Sequence, residues 1–575
     1  MEIRGFSLNN PNEGSLLQIL RQWEEGEILY VQLQLQCREP LAPQPFSVSF
    51  SLPSMDMHST WSPKTDFNGM RKLGPNWNKK ITNSRFADGL PLHAVVSAGG
   101  QNRMTVAVSD VKTPLAIATG ISEERAELDC KLSFFTQLTA PLQDYTAVIR
   151  IDLRDVPFYE SIPQAVQWWE QKWGVKPAPV PAAACEPVNS LWYSFHQQLD
   201  AAEILKECHL SKPFGLNTVI LDDGWQTDDN NRGYAYCGDW ELATAKIPNM
   251  RQLADEIHGL GMKLMIWYSV PYVGIHSKKY AQFAGKYLYF DQRRGVGALD
   301  PRYACVREYL ACQYEAAVRE WDLDGLKLDF VNAFKLTADT PETDPERDIV
   351  SLEEAIETLL QDVMVRLRRL KPELLIEFRQ GYIGPALRAY SNMFRAGDCP
   401  NDALCNKTAV LDLRLTSGAT PVHSDMLMWH PEEPAEKAAL QFVAVLFSVP
   451  QISVRMEKIS QQQKQMLAWY LDFWRQHRQT LLNGKLRLWD PQAFYSKASA
   501  QLGQESITVL YSATVVEKNS EKTIVVNCGP ARKIYLDGFG GASYRIVDCM
   551  GKETAQGTLA ELTALEVPCA GMILI

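Results

Sequence analysis

Residues 325–330 read Gly325-Leu326-Lys327-Leu328-Asp329-Phe330. Side chains alternate along a strand, so Lys327 and Asp329 share one face while Leu326 and Leu328 share the other. If this segment is a barrel strand, its leucine face packs on outer helices and its charged face points into the lumen near the mouth. A charged pair there costs several kcal/mol of desolvation unless it is satisfied or used. Lys327 and Asp329 are therefore either an ion pair tying this strand to a neighbour or part of a site.

Seven further apolar runs surround it: Leu191-Trp-Tyr-Ser-Phe, Thr218-Val-Ile-Leu-Asp-Asp, Lys263-Leu-Met-Ile-Trp, Leu374-Leu-Ile-Glu-Phe, Met393-Phe-Arg-Ala-Gly-Asp, Pro421-Val-His-Ser-Asp and Gln451-Ile-Ser-Val-Arg. Each precedes a stretch of helical periodicity. Eight such units over residues 185–482 predict a central (β/α)8 TIM barrel. A doubly wound sheet has a similar rhythm, but nearly every run ends in a carboxylate, Arg or His. Those tips form the rim where barrels of this kind build their sites.

Outside the barrel the period changes to two. Residues 1–175 carry alternating segments such as Ile28-Leu-Tyr-Val-Gln-Leu-Gln-Leu and Met104-Thr-Val-Ala-Val, which predict an N-terminal β-sandwich. Pro177-Ala-Pro-Val-Pro-Ala-Ala-Ala reads as a stiff linker. Alternation returns over 485–575, in Ile507-Thr-Val-Leu-Tyr and Thr523-Ile-Val-Val-Asn, and predicts a C-terminal antiparallel β-sandwich. The chain is a multidomain α/β protein, as its 575 residues, too many for one core, require.

Bulk properties narrow the partners. The net charge of −10 is spread along the chain without a basic run, which argues against nucleic acid. No apolar run approaches the ~18 residues that cross a bilayer, so no membrane partner is expected. Residues 438–449 read as a buried helix. The N-terminus lacks the basic stretch and apolar core of a secretory signal, and the twelve cysteines show no CxxC pair. Both point to a cytoplasmic protein.

Three strand tips carry the candidate chemistry. Leu221-Asp222-Asp223-Gly224-Trp225 places two carboxylates before a Gly and a Trp. It reads either as a polyol clamp with an indole platform or as an Asp-Gly turn with an incidental Trp. Arg395-Ala-Gly-Asp398 exposes a carboxylate where the chain turns at Cys399-Pro400. Its alternative role, capping the next helix, suits Asp402 at least as well. Gly238-Asp-Trp240 and Trp267 add aromatics near the same rim. Glycoside hydrolysis needs two carboxylates beside a pocket that accepts many hydroxyls, and these tips supply them. There is no phosphate loop ending in Lys-Ser/Thr, no HxH or HExxH spacing and no serine elbow around Ser194.

Leu221-Asp-Asp-Gly-Trp, Gly238-Asp-Trp, Lys327-Leu-Asp-Phe and Phe394-Arg-Ala-Gly-Asp occur in an order that resembles glycoside hydrolase family 36, the α-galactosidases and their relatives. The resemblance covers the whole chain. It implies Asp329 as nucleophile and Asp398 as acid/base. It further implies Lys327, Asp222 and Asp223 as ligands of sugar hydroxyls, Trp267 as an aromatic wall, and Arg395 beside the acid/base. Trp61, in Ser59-Thr-Trp-Ser-Pro, would be lent to the pocket by the N-terminal domain. No cofactor and no metal are implied; the partner is a small carbohydrate, and homo-oligomers are common in the family. The sequence departs from the family at strand five. There Glu377-Phe-Arg-Gln-Gly-Tyr-Ile stands where many members read Cys-Ser-Gly-Gly-Gly. Arg379 would then suit an anionic or altered sugar, or else pair with Glu377 on its own strand face.

The mechanism so implied is a double displacement. Lys327 keeps Asp329 ionised, while burial and the neighbouring negative charge raise Asp398 so that it is protonated first. Three rivals use the same fold: a raffinose-synthase-like transglycosidase, a retired sugar-binding barrel, and a metal-dependent barrel hydrolase.

Overall fold

The computed structural model describes residues 3–64 and 71–575. Eight parallel strands form the central sheet: β1 (Val188–Ser190), β2 (Thr218–Leu221), β3 (Lys263–Ser269), β4 (Gly325–Asp329), β5 (Leu375–Arg379), β6 (Met393–Arg395), β7 (Val422–His423) and β8 (Gln451–Ile452). Each of β1 to β6 pairs with its successor, and β8 returns to pair with β1. Single bridges His423–Val449 and Leu427–Ile452 close the ring between β7 and β8. The predicted barrel is present.

Strand one lies three residues earlier than its apolar run suggests. Val188–Ser190 is the strand, and Trp192–Phe195 is a helical turn closed by Phe195 N donating to Leu191 O at 2.9 Å. Leu191 and Phe195 are both buried while the residues between them are half-exposed, a spacing of four that belongs to a helix.

The lumen is layered. Val188, Ile220, Met265, Leu375 and Met393 fill its floor, with Ala184 of the preceding linker against them. Gly325 belongs to this layer. A Cβ there would lie 2.5 Å from Leu375 O and 2.8 Å from Met265 Cγ, so only glycine lets β4 sit between its neighbours. One register step higher the same strands present Trp267, Lys327 and Glu377. An apolar floor beneath a charged rim is what lets the barrel keep charges without a buried, unpaired layer.

The N-terminal region is two stacked antiparallel sheets, five-stranded and six-stranded, around Val31, Leu33, Val48, Ile117, Leu132 and Ile149. It ends in a helix, Phe158–Lys172, rather than in strands; Phe158, Ile162 and Trp169 join the same core as the barrel helix Ala403–Thr416. The C-terminal region pairs a seven-stranded with a three-stranded sheet. It is mostly antiparallel, with parallel pairing of 505–510 to 522–527 and of 515–517 to 535–537. Among the described residues no helix is long and apolar enough to cross a membrane.

All three regions meet at one buried carboxylate. Asp412, on the Ala403–Thr416 helix, accepts from Arg71 Nη2 at 2.6 and 2.7 Å, from Trp61 Nε1 at 3.1 Å and from Tyr495 OH at 2.5 Å. Trp61 also donates to Tyr495 OH at 3.2 Å. The structure places Trp61, for which a pocket role was implied, in this junction, with its indole fully buried. Removing one partner of such a buried network leaves the other charge uncompensated, at a cost of about 3–5 kcal/mol. Asp412→Ala should therefore lower the thermal midpoint by several degrees in calorimetry, whereas a mutation of an exposed surface carboxylate such as Asp472 should not.

Candidate active site

Asp329 ends β4 with its carboxylate buried at the barrel mouth. Its Oδ1 accepts three hydrogen bonds: Arg379 Nε at 2.6 Å, Phe330 N at 2.7 Å and Tyr382 OH at 3.1 Å. Its Oδ2 accepts from Trp267 Nε1 at 3.1 Å. Burial alone would raise this carboxyl; the charges of Arg379 and Lys327 outweigh it and hold Asp329 below its ordinary range.

The direct cation on Asp329 is thus Arg379, not Lys327. Lys327 Nζ lies 2.5 Å from Asp222 Oδ2, tying β4 to β2 across the lumen. Burial would lower the Lys327 ammonium, but Asp222 outweighs it and keeps it charged. Arg379 does not pair with Glu377 on its own strand face; its Nε lies on Asp329 Oδ1.

A second arginine organises the opposite side. Arg395, fully buried at the end of β6, donates from Nη2 to Asp398 Oδ1 at 2.8 Å. It also pairs through Nη1 with Asp425 and through Nε with Glu377 Oε1 at 3.3 Å. Asp425, two residues beyond β7, accepts in addition from Tyr193 OH at 2.9 Å and Cys399 N at 2.7 Å. Gln451 of β8 donates to Glu377 Oε2 at 2.5 Å. Burial pushes both Glu377 and Asp425 above the ordinary carboxylate range. Asp398 differs. Its side chain is 49% exposed, and although burial of the surrounding site works the other way, Arg395, Arg379 and Lys327 draw it below its usual range. The expectation that burial and the neighbouring negative charge raise Asp398 is not met: Arg395, Arg379 and Lys327 outweigh burial and draw it down.

Asp402 is the helix cap, accepting from Cys405 N at 2.9 Å, and this leaves Asp398 free of that duty. Asp222 and Asp223 divide their work. Asp222 faces Lys327, while Asp223 is held between Gln226 Nε2 at 2.6 Å and Gln197 Nε2 at 2.7 Å, and burial pushes it up to about 6. Gly224 has φ +119°, and a Cβ there would lie 2.5 Å from Gln197 Cα. That turn carries Trp225 back into the core, which corrects its assignment as a sugar platform. Its indole is fully buried against Trp240, Tyr268 and Trp321, and donates to Trp267 O at 2.9 Å. Asp239 likewise caps a helix, accepting from Lys278 N and Lys279 N. The aromatic wall beside Asp329 is instead Trp267 with Tyr234 stacked on it at 6.1 Å and Phe330 edge-on to Tyr234 at 5.3 Å.

The rim thus gathers Asp222, Asp223, Trp267, Lys327, Asp329, Arg379, Arg395 and Asp398, and excludes Trp61 and Trp225. It adds Tyr193, Tyr234, Glu377, Tyr382, Asp425 and Gln451. Asp425 was within reach of the rule that singled out Asp329, since it too is a carboxylate at the tip of an apolar run. Tyr193 was hidden by the misplaced first strand.

Residues 186–381, which carry β1 to β5, match the Melibiase family model. Over 169 residues the chain is 30% identical to alpha-galactosidase 2 of Pediococcus pentosaceus, a match that spans 28% of this chain and 23% of that enzyme. The fold is shared along the whole chain with solved α-galactosidases. One, of glycoside hydrolase family 36 from Geobacillus stearothermophilus in complex with 1-deoxygalactonojirimycin, superposes with a TM-score of 0.66 at 14% identity, covering 100% of this chain and 87% of that one. Another, from Lactobacillus brevis, gives 0.63 at 14% identity, covering 100% and 85%. The resemblance to family 36 drawn from the motifs is therefore matched by the family model over the first five barrel strands and by the fold throughout.

Proposed function

We propose that this chain is a retaining α-glycosidase of the melibiase type, acting on galacto-configured α-glycosides with Asp329 as nucleophile and Asp398 as acid/base. The observation that carries this reading is the pairing of two arginine-held carboxylates at one barrel mouth. One is buried and held ionised; the other is half exposed to an incoming substrate. Retaining glycosidases need this division of labour.

In the first step Asp329 Oδ2 attacks the anomeric carbon, the glycosidic C–O bond breaks, and the Asp398 proton passes to the departing oxygen. In the second, water attacks the same carbon, Asp398 takes its proton, and the bond to Asp329 breaks to release sugar with α configuration retained. Lys327 and Asp222 offer a donor and an acceptor to ring hydroxyls, and Trp267 with Tyr234 offers apolar faces to the C–H side of a sugar.

A panel of p-nitrophenyl glycosides tests the reading. Release is expected from the α-D-galactoside, with α-galactose as first-formed product by NMR, and chelator should not alter the rate. Release from β-anomers alone, from uronides alone, or from none of the panel would overturn it.

A further inference from the structure

We propose that Arg379 governs the second half of the catalytic cycle, making Asp329 a better leaving group at the expense of its strength as a nucleophile. This rests on the double-displacement reading above.

The argument begins with the asymmetry of the Asp329 carboxylate. Oδ1 is saturated by three donors, whereas Oδ2 has one neutral indole donor. Oδ2 is the oxygen left to attack carbon, and Oδ1 then becomes the carbonyl oxygen of the glycosyl ester. Arg379 need not leave for this to happen. Its Nε stays on Oδ1, its Nη1 donates to Gln380 O at 3.3 Å, and its guanidinium lies 5.1 Å from the centroid of the Phe330 ring. Phe330 itself sits in the left-handed region at φ 63°, a conformation costly for a bulky residue. That conformation turns both its amide and its ring toward the Asp329–Arg379 pair.

A charge-assisted bond of 2.6 Å to a carboxylate is strong, and it weakens when the carboxylate becomes a neutral ester. Forming the glycosyl-enzyme therefore costs the ion pair, and breaking it restores the pair. When the C1–Oδ2 bond breaks, its electrons return to Asp329 beside a waiting guanidinium, while water adds to C1 and gives its proton to Asp398. Arg379 thus stabilises the start of step one and the end of step two.

The test is pre-steady-state kinetics on p-nitrophenyl α-D-galactopyranoside with wild type, Arg379→Ala, Arg379→Lys and Tyr382→Phe. Wild type should show no burst. Arg379→Ala should release about one equivalent of nitrophenol rapidly and then turn over ~100-fold more slowly, with the one-hexose adduct visible by intact mass spectrometry after acid quench. Arg379→Lys should recover much of the steady-state rate, and Tyr382→Phe, which removes a neutral donor shared between Asp329 Oδ1 and Leu328 O, should show a smaller burst. Arg379→Lys and Tyr382→Phe keep the site filled if the alanine variant fails to fold. Equal loss of both steps in folded variants, with no burst and no adduct, would overturn the proposal. An adduct on another residue, or turnover by Asp329→Ala, would instead overturn the double displacement on which it rests.

Discussion

Asp329→Ala is expected to lower kcat on p-nitrophenyl α-D-galactopyranoside by ~10⁴-fold or more, the largest single effect in the protein. The size follows from the role. Without Asp329 no covalent intermediate forms, and the neighbouring Lys327, Arg379 and Asp398 cannot replace the missing electron pair. Asp329→Asn separates chemistry from folding. Its amide oxygen can still accept from Arg379, Phe330 N and Tyr382, although its NH2 would face the Trp267 indole donor. Added azide should partly restore nitrophenol release in the alanine variant and yield the β-configured glycosyl azide, because the small anion attacks from the face Asp329 vacates. Activity within tenfold of wild type would remove Asp329 from the nucleophile role.

Why the sequence places Asp329 at the rim but does not record that the Trp61 and Trp225 indoles are buried elsewhere is a matter of range. The two-residue period of β4 fixes which side chains enter the lumen, and strand order fixes which tips form the rim; both are local patterns. Trp61 meets Asp412 and Tyr495, 351 and 434 residues further along the chain, and no local pattern records such a contact. Trp225 follows an Asp-Asp-Gly turn, and its indole packs inward on Trp240, Tyr268 and Trp321, the last of them 96 residues away along the chain. Lys327 and Arg379 show the same limit in charge. Sequence gives two cations and two acids at adjacent tips, but which cation takes which acid depends on reach across the lumen: Lys327 spans to Asp222 and Arg379 bends back to Asp329.

Asp398→Asn is expected to lower turnover by ~10²–10⁴-fold, less on aryl glycosides, whose leaving groups need little protonation, than on sugar-linked substrates. The pH dependence is the sharper test. General acid catalysis needs Asp398 protonated, and Arg395, Arg379 and Lys327 lower its pKa. The protonated fraction of the free enzyme therefore declines as pH rises through this lowered value. For wild type, the basic limb of kcat/KM should accordingly lie on the acid side of neutrality. A bound sugar covers the exposed half of the Asp398 side chain and strips water from it, which disfavours the charged form and raises its pKa. The basic limb of kcat, which reports the complex, should then lie above that of kcat/KM. In Asp398→Asn both limbs should flatten. Asp402→Asn, by contrast, should keep the profile, with stability changed by no more than about 1 kcal/mol through its helix cap. A dead Asp402 variant beside an active Asp398→Asn with its basic limb intact would move the acid/base role four residues along. The placement of Asp398 beside Arg395 opposes that outcome: the same guanidinium that holds its proton affinity down in the free enzyme keeps it ionised once Asp329 is glycosylated, when a base is what the second step requires.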